Sequence, residues 1–114
     1  LPLPTLVVAW LVAAIIRLLQ GSATVAMITA AGLVAPLVEA AGQPEPFAAL
    51  VTLAIAAGAT IASHVNDSRF WLVGRFLGLS TGETLRTWTV LETIIAVAGL
   101  TFILVAYGLV GLGG

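Results

Sequence analysis

Arg17-Leu18-Leu19-Gln20-Gly21-Ser22-Ala23-Thr24 is the stretch on which the fold turns. The chain around it is apolar: Leu1–Ile16 before Arg17 and Leu18–Val38 after it carry no charge. Two readings are open. In one, Leu18–Val38 is a single membrane span, with Gln20, Gly21, Ser22 and Thr24 near one lipid-embedded end and Arg17 snorkelling to the interface. In the other, two short helices, about Thr5–Leu19 and Thr24–Val38, meet at Gln20–Ala23. Fifteen residues rise only about 22 Å, less than the roughly 30 Å hydrocarbon core. Such a pair forms a re-entrant hairpin whose ends return to one side. Irregular backbone at that depth persists only where protein or a water-filled cavity surrounds it. The hairpin is the favoured reading.

Composition puts this stretch in a membrane. The chain has 114 residues, 61% hydrophobic and 8% charged, where a soluble domain carries about 25% charged residues. Such a chain cannot clothe a soluble domain in polar surface. Four Arg, five acids and no Lys make no basic patch, so nucleic acid is not an expected partner. Zero Cys excludes disulfides, thiolate catalysis, zinc–thiolate sites and iron–sulfur clusters. No P-loop, GxGxxG, HExxH or GxSxG pattern occurs, so neither an enzyme nor a metal site is expected. Leu1–Leu19 has no basic n-region and does not read as a signal peptide. The chain opens on Leu1 and its only Met is Met27, which reads as part of a longer protein.

Further along, Pro46–Asn66 and Thr93–Gly114 are also free of charge. Trp88–Val110 would rise roughly 34 Å as a helix, enough to span the bilayer. Trp88 and Tyr107 sit near its ends, where interfacial aromatics lie. Phe47–Ser63 is short for a crossing by itself and becomes adequate if it continues through Ser63–Ser68 (SHVNDS) into Arg69–Leu77. Ala13, Ala14, Ala30, Ala31, Gly32, Ala56, Ala57 and Gly58 suit close helix packing in lipid. The Glu39–Pro46 connection has two acids and no Arg, whereas Arg69–Thr87 carries Arg69, Arg75 and Arg86. The positive-inside rule therefore puts Arg69–Thr87 on the cytoplasmic side.

Two polar clusters interrupt the apolar sequence. At Arg17 and Gln20–Thr24, a helix starting near Thr24 offers free N–H groups and a positive dipole end to a carboxylate. Ser22 and Thr24 offer hydroxyls, and Gly21 allows close approach of a ligand to the backbone. The plainer roles are an N-cap for Ser22 or Thr24 and an interfacial anchor for Arg17. In the second cluster, His64 beside Asp67, with Asn66 and Ser68, has the make-up of a proton-coupling site, since His titrates near neutrality and intramembrane ionisable groups are costly. The plainer role for Asn66 and Asp67 is to cap a helix starting near Arg69. Glu92, about one turn inside Trp88, is a third candidate, though the dipole alone favours an acid there. Glu83 and Arg86 read as a solvated pair on a short helix.

The string Ala13-Ala14-Ile15-Ile16-Arg17, then QGSATVAMITAAG (Gln20–Gly32), SHVNDSRFWL (Ser63–Leu72) and TWTVLETII (Thr87–Ile95), resembles the C-terminal part of the gluconate permease family of bacterial sugar-acid:proton symporters. The resemblance covers nearly the whole chain. It implies an all-α integral membrane protein, one part of an inverted-repeat transporter fold with a re-entrant hairpin, a discontinuous transmembrane helix and a final transmembrane helix. Residues 3–38 would be the hairpin with its tip at Gly21–Thr24, and residues 47–77 the helix broken at His64–Ser68. Residues 78–87 would be the cytoplasmic link and 88–110 the final span. The implied location is the bacterial inner membrane, multi-pass.

The leading hypothesis is uptake of gluconate or a related sugar acid with protons, without a cofactor. Arg17, Gly21, Ser22, Thr24, Asn66 and Ser68 would bind substrate, and His64, Asp67 and Glu92 are the proton-coupling candidates. The expected partners are the sugar acid, the bilayer and an N-terminal half of the same protein, with a homodimer allowed. On this reading half of the site lies in that other half, and the chain alone is expected not to transport. The competing hypothesis is a non-transporting membrane subunit whose polar residues only lock helices together. An intramembrane hydrolase is a distant third, because Ser63 and Ser68 lie too close in sequence to His64 for an ordinary triad.

Overall fold

The computed structural model describes residues 2–42 and 45–109. Gln43 and Pro44 of the expected Glu39–Pro46 connection, and Val110 at the end of the expected final span, lie outside the described residues. All regular elements among the described residues are helical. In order they are α1 (Pro2–Gln20), α2 (Ala23–Ala41), α3 (Glu45–Gly58), α4 (Ser68–Leu77), α5 (Thr81–Thr84) and α6 (Val90–Leu109), with a π-helical segment, Leu85–Thr89, joining the last two. Two stretches are long and apolar enough to cross a membrane, Ala23–Ala40 and Thr81–Leu109.

The helix does not run unbroken through Leu18–Val38, since it stops at Gln20 and restarts at Ala23; α1 and α2, at 19 residues each, are also longer than the fifteen-residue arms expected of the hairpin. Gly21 takes φ +86°, a region L side chains rarely adopt, and Ser22 caps α2 by accepting the Val25 N–H at 3.2 Å. α1 and α2 pack against each other beyond this break, so they fold back as a helical hairpin. α3 runs beside both. The core they share is made of small and medium side chains: Leu6, Ala9 and Ala13 from α1, Ala26, Ala30 and Val34 from α2, and Phe47, Leu50, Val51, Ala54 and Ile55 from α3. Alanines one turn apart let the backbones approach closely, as in membrane bundles. α1 and α3 approach closely at Gly58, where a Cβ would stand 2.2 Å from the Trp10 carbonyl oxygen.

That contact also bears on where the third helix breaks. The break expected at His64–Ser68 starts earlier: the helix ends at Gly58, and the irregular segment runs from Ala59 to Asp67. Thr60 and Ile61 donate to the Ala57 and Gly58 carbonyls at 3.1 and 3.2 Å, a tightened last turn. Ala62 then takes a positive φ of 43°. Asp67 caps α4, accepting the Arg69 N–H at 3.1 Å, so the capping role is realised one residue earlier than a start near Arg69.

The last helix also begins sooner than expected. Residues 81–87, assigned to the cytoplasmic link, are helical from Thr81, and only Gly78–Ser80 lie outside regular structure. The cause is a capping box: Ser80 Oγ accepts the Glu83 N–H at 3.1 Å while Glu83 accepts the Ser80 N–H at 2.8 Å. Glu83 and Arg86 are both exposed, as expected. α6 runs antiparallel to α3: Tyr107 packs edge-on against Phe47, Gly99 faces Ala57, and Trp10 Nε1 donates to the Ala96 carbonyl at 3.0 Å.

The molecule measures 49 × 26 × 17 Å. A slab one or two helix diameters thick cannot enclose this many apolar side chains. Leu19, Ile28, Phe76, Phe102 and Leu109 accordingly point outward, more than two-thirds exposed. They are the faces that lipid or further protein would cover.

Candidate functional site

The hairpin turn and the break after α3 come together through one side chain. Arg17 is completely buried. Its Nη1 donates to the Gly21 carbonyl at 2.7 Å, closing the turn, and its Nη2 meets Asp67 Oδ2 at 2.7 Å. Burying an isolated guanidinium is very costly, so an ion pair with hydrogen bonds is the arrangement expected for it. Arg17 is therefore not an interfacial anchor.

Asp67 is the hub. Besides Arg17 it accepts the Ser63 hydroxyl and the Arg69 backbone N–H, and Arg69 Nε lies 3.4 Å from Oδ2. Ser63, itself buried, extends the network to the last helix. Its Oγ accepts Trp88 Nε1–H at 2.8 Å, and its carbonyl accepts the Thr89 hydroxyl. Both of those residues lie in the π-helical segment, a form that is rare and often marks functional positions. A second tie joins the same elements directly: Asn66 Nδ2 donates to the Leu18 carbonyl at 3.0 Å. The backbones meet so closely there that a Cβ on Gly21 would stand 2.1 Å from the Asn66 carbonyl oxygen.

On the open side of this junction is a cleft of about 480 Å³, within the range of small-molecule sites. Gln20, Gly21, Ser22, Ala23, Thr24 and Met27 line it from the hairpin, and Asn66, Asp67, Ser68 and Arg69 from the break. The first residues of α2 and of α4 both border it, so two positive helix ends converge on one polar space.

Five of the six expected substrate-binding residues thus come together: Gly21, Ser22, Thr24, Asn66 and Ser68 line the cleft. Arg17 lies behind it, with its two terminal nitrogens engaged by protein. Of the coupling candidates, Asp67 is on the cleft wall. His64 is half-buried away from the lining; its carbonyl accepts the Asp67 N–H at 2.9 Å, and the carboxylate pairs with arginines instead of the imidazole. Glu92 is 5% exposed, and its Oε2 has no hydrogen-bond partner among the described residues. The sequence reading missed Arg69, used there only to orient the chain, and missed Ser63, Trp88 and Thr89 as a network.

Among the described residues, all-helical structure, two stretches long and apolar enough to cross a bilayer and a polar cleft where helices break match the make-up of a helical membrane protein. Over residues 1–110 the chain matches the model of the GntP family permeases. It is 55% identical over 102 residues to the gluconate permease of Bacillus subtilis, covering 90% of this chain and 22% of that protein. To the Gnt-II system L-idonate transporter of Escherichia coli it is 51% identical over 102 residues, 90% of this chain and 23% of the relative. To the low-affinity gluconate transporter of the same organism it is 43% identical over 107 residues, 94% and 24%. The chain belongs to the GntP permease family, as its resemblance to the gluconate permeases implied. It spans about a fifth to a quarter of the length of these relatives, which are permeases and transporters, not enzymes. No solved structure matches it.

Proposed function

We propose that the chain forms part of a secondary active transporter that takes up gluconate or a related sugar acid together with protons across a bacterial inner membrane. The observation that carries this reading is the cleft, where the hairpin turn and the unwound segment are joined by the buried Arg17–Asp67 pair. Discontinuous helices whose N-termini face a polar site are the usual way for a transporter to bind an anion within the bilayer. Gluconate and L-idonate, named for the relatives, are hydroxylated monocarboxylates, and the cleft offers positive helix ends together with the polar side chains of Gln20, Ser22, Thr24, Asn66 and Ser68. In this reading the α1–α2 hairpin is re-entrant, α3 and α4 are one broken transmembrane helix, and Thr81–Leu109 is the final span. The α4–α5 connection faces the cytoplasm, and the remainder of an inverted-repeat fold completes the site.

Coupling falls to Glu92 and His64, because Asp67, the third candidate, is held in the buried ion pair with Arg17. Glu92 is a buried acid that forms no ion pair among the described residues, and its Oε2 lacks a hydrogen-bond partner there. Glu92→Gln and His64→Ala in the full-length transporter are expected to lose uptake driven by an imposed pH gradient while membrane insertion persists. Normal uptake with unchanged pH dependence in both variants would contradict the assignment.

The buried run from Arg17 through Asp67 and Ser63 to Trp88 favours a helix-locking role for those four residues. That is what the non-transporting alternative expects of every polar group, and the cleft residues decide between the two.

A further inference from the structure

The two arginines that meet Asp67 are not equivalent. Arg17 is fully buried, with one terminal nitrogen on the Gly21 carbonyl and the other on the carboxylate. Arg69 lines the cleft, its side chain is 46% exposed, and it approaches Asp67 only through Nε, at 3.4 Å. That is a loose contact beside the 2.7 Å Arg17 pair. A guanidinium carries five N–H donors in a fork that matches a carboxylate. Among the described residues Asp67 is the only ion-pair partner of the Arg69 side chain, and its two terminal amino groups make no hydrogen bond there, although the Glu92 carboxylate also feels its charge. Asp67 is meanwhile held by Arg17, the Ser63 hydroxyl and the Arg69 backbone N–H. One carboxylate therefore serves two guanidiniums, and Glu92 forms no ion pair with either among the described residues. The more weakly held cation is the one facing the cleft, beside the N-terminal ends of α2 and α4.

We propose that Arg69 binds the carboxylate of a monoanionic, hydroxylated ligand in this cleft, and that Arg17 is a positioning residue that holds Asp67 and the hairpin turn in place. The hydroxyls of the ligand then fall to Ser22, Thr24, Asn66 and Ser68. The assignment rests on the sugar-acid reading of the chain and names the group that reads the acid. Asp67 acquires a further role as well, since its loose contact with Arg69 keeps that side chain at the cleft wall in the absence of ligand.

The test is equilibrium binding to the full-length transporter in lipid nanodiscs. Gluconate is compared with glucitol, the neutral polyol in which CH2OH replaces the carboxylate. The wild type is expected to prefer gluconate. Arg69→Gln should raise the gluconate Kd by about ten- to a hundredfold, the range for a hydrogen bond to a charged group. Glucitol affinity should be unchanged, and Arg69→Lys should keep part of the preference. Because the Arg69 side chain is about half exposed and fills no core position, retained glucitol binding also reports a folded site. An unchanged gluconate Kd in Arg69→Gln overturns the proposal, as does an equal loss of both ligands, which marks a structural role. A wild type with no affinity for gluconate overturns the sugar-acid reading itself.

Discussion

Asp67→Ala is expected to cost about 3–5 kcal/mol of stability and to abolish uptake, because it strands a fully buried guanidinium. The loss has identifiable parts. Arg17 Nη2 loses its ion-pair partner, Ser63 loses the acceptor of its hydroxyl, and α4 loses its N-cap. Thermal unfolding in detergent and transport in proteoliposomes measure the two effects separately. The double variant Arg17→Met, Asp67→Leu distinguishes pairing from bulk packing. Replacing both charges with apolar groups of similar size should recover most of the stability, as removal of whole buried ion pairs often does. Transport should stay absent, since the turn carbonyl and the cleft wall are no longer held. A stable, active Asp67→Ala variant would refute the junction.

Gly21→Ala is the smallest substitution with a comparable effect. The positive φ alone costs a residue with a Cβ about 1–2 kcal/mol. The larger part is steric: the new methyl would lie 2.1 Å from the Asn66 backbone oxygen and 2.8 Å from its side chain. The backbone on both sides is fixed, by Arg17 on the Gly21 carbonyl and by Asn66 on the Leu18 carbonyl, so the hairpin must separate from the break. Transport should fall below detection and the melting temperature should drop by several degrees. Gly32→Ala serves as the control, because a Cβ there meets nothing within 4 Å and the helix should gain slightly. Wild-type behaviour in Gly21→Ala would mean that the turn and the break are not in contact.

The breaks themselves are legible in the sequence because they are local. Gly21-Ser22 and Asp67 interrupt apolar sequence with residues that cap helices or take positive φ, and the chain ends α1 at the first and starts α2 and α4 at the caps. The pairing of Arg17 with Asp67 is not legible. The two are fifty positions apart, no helical or strand period relates them, and His64 is the nearer partner for Asp67 in sequence. The early end of α3 at Gly58 is hidden for a similar reason, since the close contact with the Trp10 carbonyl is tertiary and leaves no mark in the composition. The start of the last helix is written in the chain. Ser80-Thr81-Gly82-Glu83 carries the capping-box signature, but Arg75 and Arg86 on either side of it signal topology more loudly. Arg69 hides in the same way: it counts among the orienting arginines, although it lies two residues after the aspartate that proves to be the hub.

The central claim is that the hairpin turn and the unwound segment enclose a water-accessible binding site. Thr24, exposed on the cleft wall and not the cap of α2, reports on it with little disturbance. A single cysteine at Thr24 in a full-length transporter cleared of other cysteines should react with a membrane-impermeant maleimide. Gluconate should slow that reaction, and a cysteine at the outward-facing Ile28 should stay unlabelled in the bilayer. A Thr24→Cys protein that transports normally yet resists the reagent, or reacts at the same rate with and without gluconate, would contradict the account.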